Sequence, residues 1–328
     1  MEFRVLRRSE CESWLALLDR WDVGDGWRGR DFFRRYLEGD PTYADENVWV
    51  AAEGGRLASS VQIFPRELRI GRTAVPMGGI GSVFTAPEFR RRGLGQALLE
   101  HASEAMRARG FEVSMLFPAP DRQDWYRRLG WDTWERRRLW LSGGPASPRG
   151  RVEHFEPERD LAGVRQIHAA YSGALDGTEA RGGALWQASL RNAGNPGETF
   201  LVAHGPDGAV AAYARATVLS GMSVLMELGR AAGAEALLAD VIVVAAGEKA
   251  VAPDLAHEPG LEDVLRERGL EPRELRDPLT MLRCLDAPAL TRRLAGSGVT
   301  AREGEAPNEL LRRVLPPERL HYWVADRF

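Results

Sequence analysis

Cysteines, histidine clusters and long apolar runs are all scarce in this chain of 328 residues. The two cysteines, Cys11 and Cys284, lie far apart and outside any motif, so the sequence predicts no disulfide framework. No pair of the six histidines has the spacing of zinc ligands, and we therefore expect no metal site. No stretch approaches the roughly 18 uninterrupted apolar residues of a membrane-spanning helix. The N-terminus also lacks the pattern of a signal peptide. These absences predict a cytoplasmic protein that does not contact a membrane.

A strong excess of one charge is also missing. Arginine and lysine together number 44, aspartate and glutamate 47, and the net charge is −3 with a pI of about 6.2. This balance argues against a nucleic-acid partner, because nucleic-acid-binding proteins usually carry a basic excess. The chain is longer than one ordinary hydrophobic core requires, and its 44% hydrophobic and 28% charged residues are typical of globular proteins. We therefore expect at least two domains.

Hydrophobic periodicity divides the first half into alternating helices and strands. The predicted elements are a helix over 10–21, strands Val48–Ala52 and Leu57–Phe64, a hairpin over 66–75, a strand Gly79–Thr85, a helix over 93–109, a strand Phe111–Phe117, a short helix ending near Leu129, and a strand Thr133–Leu141. Small residues, glycine and proline fill Ser142–Gly150, which indicates a linker. A similar order of elements recurs from Arg159 onward, so we predict a duplicated domain.

The run Arg90-Arg91-Arg92-Gly93-Leu94-Gly95 stands between a predicted strand and a predicted helix. The first backbone N–H groups of a helix have no intrahelical partners and the helix dipole is positive there, so this end can bind phosphate. Glycines allow a ligand to approach the backbone closely, and arginines suit a pyrophosphate. The residues alone leave two interpretations open, a phosphate-binding loop and a solvated basic helix start.

Read as Arg90-x-x-Gly93-x-Gly95 after the strand Ser82–Thr85, this run resembles the coenzyme-A loop of the GCN5-related N-acetyltransferase (GNAT) superfamily. The downstream segment Trp125–Trp131 (WYRRLGW) resembles the last helix of that superfamily, at the expected separation. More narrowly, Pro76–Val83 and Met281–Leu290 resemble the enhanced-intracellular-survival (Eis) type, which has two such domains and a sterol-carrier-like third domain.

The Eis-like resemblance implies an α/β (α+β) chain with tandem GNAT folds, each a mixed, mostly antiparallel twisted sheet flanked by helices. We expect a catalytic domain over residues 1–144, a degenerate second copy over 145–286, and a short C-terminal extension over 287–328 that is a truncated remnant of the sterol-carrier-like domain. In the second copy, Gly229, Ala232 and Ala234 stand where the first has Arg90, Gly93 and Gly95. We therefore expect the second copy to have lost coenzyme binding.

The implied activity is transfer of an acetyl group from acetyl-CoA to a primary amine, by direct attack on the thioester and without a metal. The residues expected to bind the coenzyme are Val83, Phe84, Thr85, Arg90, Arg91, Arg92, Gly93, Leu94, Gly95 and Gln96. Tyr126 occupies the position that protonates the leaving thiolate, with simple packing as the alternative. The resemblance places the C-terminal carboxyl group, here that of Phe328, in the active site to accept or orient the amine, with an apolar anchor as the alternative.

The acceptor is expected to be a small-molecule or peptide amine, which the sequence does not identify. Candidate aromatic residues for its cleft are Trp14, Trp21, Trp27, Phe32, Phe33, Tyr36 and Trp125, with packing in the core as the favoured alternative for most of them. Asp22, Asp25 and Glu46 could form an acidic mouth for cationic amines, with a solvated surface as the favoured alternative. The competing hypotheses are a non-catalytic acyl-CoA sensor or scaffold and an interaction protein that uses the fold structurally. The resemblance also implies a homo-oligomer.

Overall fold

The computed structural model describes residues 1–24, 26–143, 147–192 and 198–328, which form two mixed sheets and the helices around them. The strands are β1 (Glu2–Val5), β2 (Val48–Glu53), β3 (Arg56–Ile70), β4 (Thr73–Thr85), β5 (Val113–Leu116), β6 (Asp132–Thr133), β7 (Arg136–Gly143), β8 (Glu153–His154), β9 (Thr199–His204), β10 (Val210–Leu219), β11 (Met222–Arg230), β12 (Lys249–Ala252), β13 (Leu270–Asp277) and β14 (Met281–Cys284). The helices are α1 (Cys11–Leu18), α2 (Gly29–Gly39), α3 (Leu94–Ala108), α4 (Gln123–Arg128), α5 (Pro157–Gly173), α6 (Gly183–Asn192), α7 (Glu235–Ala246), α8 (Leu261–Glu267), α9 (Ala287–Leu294) and α10 (Pro307–Val314).

The first sheet has the strand order β1-β2-β3-β4-β5-β14-β6, and only β4 and β5 run parallel. The predicted strand Leu57–Phe64 and the first arm of the predicted hairpin are one strand, β3, and the second arm continues into β4. Pro65 is tolerated inside β3 because β2 pairs with that strand only as far as Gln62, so Pro65 has a strand neighbour on one side only. The hairpin turns at Gly71, whose φ of +58° favours glycine.

The second sheet has the order β13-β7-β12-β11-β10-β9-β8, which is the first order repeated. In each sheet a long hairpin is followed by a helix and a parallel strand, α3 and β5 in the first sheet and α7 and β12 in the second. The predicted duplication is therefore present in the topology.

The two sheets exchange one strand each. Strand β7 pairs with β12 and β13 of the second sheet, and β14 pairs with β5 and β6 of the first. The predicted strand Thr133–Leu141 is thus two strands that belong to different sheets, and Ser142 and Gly143 of the predicted linker lie in β7. Residues 144–146 of that linker lie outside the described residues. The boundaries at 144 and 286 stay predictions, and neither sheet consists of one continuous chain segment.

The C-terminal segment covers the face of the first sheet opposite α3. Leu290 and Leu294 of α9 and Leu310 and Leu311 of α10 pack with β3, β4 and β14 residues in one buried cluster. The final residues then run toward β4, where the ring of Phe328 packs against Phe64 with 5.2 Å between ring centroids. This segment therefore joins the core of the first sheet.

Candidate active site

The loop before α3 has the backbone shape of an anion-binding turn. Gly93 caps the helix with a φ of +76°, and Arg91 is held at a φ of +62°, which is unusual for a residue with a side chain. By helical geometry, the N–H groups of the first helical residues, Leu94, Gly95 and Gln96, have no intrahelical acceptor. A phosphate group placed there would satisfy them and would meet the positive end of the helix dipole.

Gly95 lies where α3, the end of β4 and α4 meet. A Cβ atom added to it would stand 3.4 Å from the ring of Trp125 and 3.6 Å from the Thr85 hydroxyl, so a side chain here would fill the approach to the helix end. The flanking arginines differ in their partners. Arg90 donates through Nε to the carbonyl of Thr85 at 3.1 Å, and Arg92 pairs with Glu53 at 2.7 Å on the surface.

The end of β4 is open along one edge. β5 pairs with β4 only from Met77 to Ile80, so the residues beyond, up to Thr85, have no strand neighbour on that side. Ser82 makes a bulge there with a φ of +49°, and the register with β3 shifts between Ser60 and Gln62. The hydroxyls of Ser59 and Ser60 donate to the carbonyls of Phe84 and Ser82, at 2.9 and 3.0 Å, and hold this strained shape. An extended ligand can pair with the open edge.

Tyr126 lies on α4, directly after the tryptophan that faces Gly95. Its side chain is buried and contacts the rings of Trp125 and Trp131, with centroids 4.8 and 6.2 Å away. Its hydroxyl makes no hydrogen bond to any residue that the structure describes. Burial raises the pKa of Tyr126 above the usual value of 10. The phenol therefore holds its proton at neutral pH.

Phe328 lies against β4 through both its ring and its carboxyl group. A Cβ atom on Gly79 would overlap the ring, and one on Gly81 would stand 3.6 Å from the carboxyl carbon and oxygen. The ring also packs against Phe117, which follows β5, with centroids 5.4 Å apart. The glycines of β4 thus leave the space that this end of the chain fills, near the point where β4 and β5 separate.

A cavity of about 430 Å³ lies between the two sheets, next to the last residues of the chain. Its aromatic wall comes from the region before α2 and from α2 itself, through Trp27, Phe32 and Tyr36. The opposite rim is the β10–β11 hairpin, where Val218 and Leu219 are 50% and 38% exposed. The structure therefore places three of the seven predicted cleft aromatics at the cavity. Trp14 and Phe33 are core residues instead, because they lie on the buried faces of α1 and α2.

The acidic mouth considered at Asp22 and Glu46 does not lie at this cavity, since both residues are exposed elsewhere; Asp25 lies outside the described residues. The carboxylates that line the cavity are Asp40, Glu179, Glu198 and Asp326, which sequence reasoning missed. Their partners are distant in sequence, so no local motif marks them.

Each of these carboxylates lies beside an arginine. Asp40 pairs with Arg66 at 2.5 Å and Glu198 with Arg215 at 2.9 Å. Glu179 lies 3.3 Å from the same Arg66 and accepts a hydrogen bond from the Tyr322 hydroxyl at 3.2 Å. These pairs make the wall polar while neutralising most of its charge.

Arg181 joins the cavity wall to the second sheet. It donates to Asp326 and Glu227, each at 2.5 Å, and its side chain is only 1% exposed. Burial and the charge of Asp326 raise the pKa of Glu179 to about 8. Burial opposes ionisation of Glu227, but the positive charges of Arg181 and its neighbours together outweigh it and lower the pKa of that carboxyl to about 2.

The corresponding helix start in the second copy carries ion-paired side chains. Arg230, just before α7, donates to both oxygens of Glu258 at 2.7 to 3.0 Å and pairs with Glu235 at 2.9 Å. Glu235 is the first residue of α7 and puts a carboxylate where α3 offers free N–H groups. This arrangement is unfavourable for a pyrophosphate, because two carboxylates would repel it.

Two further features are absent from the described residues. No group of three or more histidine, cysteine, aspartate or glutamate side chains among them could hold a metal ion. None of their helices combines the length and the apolar character needed to cross a membrane.

Comparison with known proteins identifies the fold of the first sheet. Residues 2–134 match the family model described as an acetyltransferase (GNAT) domain. None of the curated proteins compared matches the chain. Among solved structures, a probable N-acyltransferase from Enterococcus faecalis V583 is 15% identical, with a TM-score of 0.71 over 89% of this chain and 74% of that one.

Two further solved structures share the two-sheet fold. Eis1 from Mycobacterium abscessus is 16% identical, with a TM-score of 0.61 over 88% of this chain and 75% of that one. N-myristoyltransferase of Saccharomyces cerevisiae with bound myristoyl-CoA is 11% identical, with a TM-score of 0.57 over 86% and 78%. The strand order of the first sheet recurs in the second. Residues 2–134 therefore form a GNAT acetyltransferase domain by their family match, and the repeated strand order gives the chain a tandem arrangement of the fold.

Proposed function

We propose that the chain transfers the acetyl group of acetyl-CoA to a primary amine by direct attack on the thioester. The observation that carries this proposal is the meeting of three features at Gly95: the free end of α3, the open edge of β4 and the helix that bears Tyr126. Each supplies one requirement of the reaction, namely an anion site, a track for an extended arm and a proton donor.

The coenzyme would lie along these features in the order of its chemical parts. Its pyrophosphate would accept hydrogen bonds from the backbone N–H groups of Leu94, Gly95 and Gln96, with Arg91 close by. Its pantetheine arm would pair with the open β4 edge at Val83–Thr85. Acetyl-CoA supplies the activated acyl group, and an N–H group of this edge aimed at the thioester oxygen would stabilise the oxyanion.

Two protons move as the C–N bond forms and the C–S bond breaks. The leaving thiolate takes a proton from Tyr126, which burial keeps protonated. The attacking amine loses a proton, and we assign its acceptance or orientation to the carboxyl group of Phe328 beside Gly81. No covalent enzyme intermediate is needed. The cytoplasmic location and the homo-oligomer stay predictions.

Thiol release from acetyl-CoA, measured against a panel of primary amines, tests the proposal. Tyr126→Phe should lower kcat by about 100-fold, the range found for a general acid, with the Kd for acetyl-CoA nearly unchanged. Tyr171→Phe is the matched control, because Tyr171 is a partly buried tyrosine of α5 that packs against the second sheet. Its hydroxyl lies within hydrogen-bond distance of His257 at 2.7 Å, and the substitution should leave kcat unchanged.

The remaining outcomes separate the hypotheses. Acetyl-CoA binding without turnover of any amine would favour the sensor or scaffold. Absence of acetyl-CoA binding would contradict the assignment of the loop Arg90–Gly95. Phe328→Ala, which removes the ring that docks the carboxyl group, should reduce turnover while acetyl-CoA binding persists.

A further inference from the structure

Three arginines, two buried and one partly exposed, share a single carboxylate beside the candidate active site. Arg136 and Arg138 alternate along β7 and therefore point to the same side of the sheet. Both donate to the Oδ2 atom of Asp277, at 3.2 and 3.3 Å, and Nη2 of Arg327 lies 3.8 Å from the same oxygen. The other oxygen of Asp277 accepts from the backbone of Leu279. Three positive charges therefore meet one negative charge.

Several donors of this cluster have no hydrogen-bond partner among the described residues. Nε of Arg136, Nη2 of Arg138, and both Nε and Nη2 of Arg327 are buried without a hydrogen bond. Arg136 and Arg138 are only 6% and 9% exposed. Buried donors and unpaired buried charges are costly, so native proteins normally satisfy them. A site with unused donors and excess positive charge is built to receive an anion.

Electrostatics agrees with this geometry. Burial lowers the pKa of Arg136 to about 10, with the neighbouring Arg138 adding to the effect. Burial, together with Arg136 and Arg138, lowers the pKa of Arg327 to about 9. All three guanidiniums still carry their charge at neutral pH, but each does so in surroundings that disfavour it. A bound anion would relieve that repulsion.

Arg327 connects the cluster to the cavity, whereas Arg136 and Arg138 line a smaller neighbouring pocket. Arg327 lines the cavity, and its side chain remains 29% exposed. Its guanidinium lies 4.5 Å from the ring centroid of Phe117, which in turn packs against Phe328. Arg136 donates to the carbonyl of Tyr322 at 2.9 Å and so fixes the chain end that carries Arg327.

The rest of the cavity favours an uncharged body over a polycation. Carboxylates Asp40, Glu198 and Asp326 are each paired with an arginine, so the wall has little net negative charge to attract a polyamine. The remaining wall is aromatic and aliphatic, including Trp27 and Phe32. Among the described residues, Asp277 is the carboxylate that pairs with Arg327, and two other arginines share it.

We propose that Arg136, Arg138 and Arg327 form an anion subsite, and that the acceptor is an amine with an apolar body that also carries a carboxylate or phosphate group. This inference rests on the proposed acetyl transfer. The acidic group would bind at the subsite while the amine faces the acyl group near Phe328. The amine would then be fixed at both ends before it attacks.

Matched acceptors test the inference directly. We would measure kcat/KM for L-phenylalanine, L-phenylalaninamide and phenethylamine at saturating acetyl-CoA, and for O-phosphoethanolamine against ethanolamine. Because its acidic group can accept a charge-assisted hydrogen bond, L-phenylalanine or O-phosphoethanolamine should have a kcat/KM at least about tenfold higher than its counterparts without that group. Arg327→Gln should abolish the advantage in kcat/KM of the compound that carries the acidic group.

Arg137→Gln is the matched control. Arg137 stands between the two cluster residues on β7 but points to the other side of the sheet, where it pairs with Glu262 and Glu274 at 2.7 and 3.2 Å. It should leave the preference for the acid intact. Arg138→Met is a second variant inside the cluster, and it should weaken the preference without any change at the exposed edge of Arg327.

A binding measurement keeps the inference separate from the activity. Calorimetric titration of the same compounds into the protein with coenzyme A should show the same preference for the acid, even if turnover is absent. Equal Kd values and equal kcat/KM values for the compounds with and without the acidic group, in both sets, would overturn the inference. A second outcome would also overturn it: inorganic phosphate raises the melting temperature of the wild type at constant ionic strength, while no acceptor preference is seen. In that case the subsite would bind a free anion and not the acidic group of the acceptor.

Discussion

Arg181 connects the cavity wall to the second sheet through two buried carboxylates. Its guanidinium donates to Asp326 of the chain end and to Glu227 of β11, and all three side chains are almost fully buried. Glu227 also accepts from the Tyr213 hydroxyl at 2.9 Å. Charges of this kind are costly to bury and are stable only while they stay paired. Removal of the arginine would leave two carboxylates without their main partner.

Arg181→Gln should therefore destabilise the fold by about 3–5 kcal/mol, the range for breaking a buried ion pair. Arg20→Gln is the matched control, since Arg20 makes a two-bond pair with Glu88 at 2.8 and 2.9 Å but both side chains are about 40% exposed. That loss should be about 0–1 kcal/mol. Urea unfolding followed by circular dichroism measures both values, and similar losses would contradict the importance assigned to Arg181.

The site residues that could be predicted from the sequence differ from those that could not in how far apart the interacting residues lie along the chain. The spacing of Arg90, Gly93 and Gly95 is local, so a short motif suffices to predict the loop. Arg181, in contrast, lies 46 and 145 positions from its two partners in sequence. A buried charge pair of this kind becomes visible only when the fold brings the segments together.

At the scale of elements, α3 offers a comparison between its two ends. Gly93 before the helix has a φ of +76°, and Gly110 just beyond it has a φ of +81°. A Cβ atom on either would meet no atom within 4 Å, so an alanine would strain the backbone equally at both places. Only the N-terminal end faces the proposed pyrophosphate.

Gly93→Ala and Gly110→Ala should each cost about 1 kcal/mol of stability, the usual penalty for a side chain at positive φ. Only Gly93→Ala should weaken acetyl-CoA binding, because it tilts the N–H groups that the pyrophosphate would use. Thermal unfolding and calorimetric titration with acetyl-CoA provide the two measurements. An equal rise in Kd for both variants would mean that general loosening of α3, rather than its N-terminus, governs binding.

Hydrophobic patterns predicted most elements but not the sheet to which each belongs. The strand predicted over Thr133–Leu141 is divided by Trp134 and Glu135, and β6 before this break has only two residues. Its second part, β7, pairs with β12 and β13, which are formed by residues more than a hundred positions later. Alternation of apolar and polar residues specifies a strand and its buried face, but it carries no information about the neighbouring strand.

At the scale of the whole molecule, two buried titratable groups change the unfolding free energy with pH in opposite directions. Burial lowers the pKa of His321 to about 4, with help from the nearby His257, whereas burial raises that of Glu179 to about 8. In the unfolded chain these groups titrate near 6.5 and 4.5. The unfolded state therefore binds the extra proton at His321 between pH 6.5 and 4, and the folded state binds it at Glu179 between pH 4.5 and 8.

The signs follow from this difference in proton binding. The contribution of His321 to stability is complete above pH 6.5 and is lost as the pH falls to 4. That of Glu179 is complete below pH 4.5 and is lost as the pH rises to 8. Between pH 4.5 and 6.5 the two contributions oppose each other, so the wild type should show a weaker pH dependence there than either group would give alone.

Single substitutions should uncover each contribution. As the pH falls from 6.5 to 4.5, the unfolding free energy of His321→Phe should rise by about 2 kcal/mol relative to that of the wild type, because the variant has no buried imidazole to be charged. As the pH rises from 6 to 8, the unfolding free energy of Glu179→Gln should rise by about 2 kcal/mol relative to that of the wild type, because the variant has no buried carboxyl group to ionise. His154→Phe, at an exposed position on β8, should change neither difference. Urea unfolding at half-unit steps from pH 4.5 to 8 gives the difference in unfolding free energy between each variant and the wild type. If this difference changed with pH in the same direction for both variants, one of the two groups would not have the protonation state assigned to it.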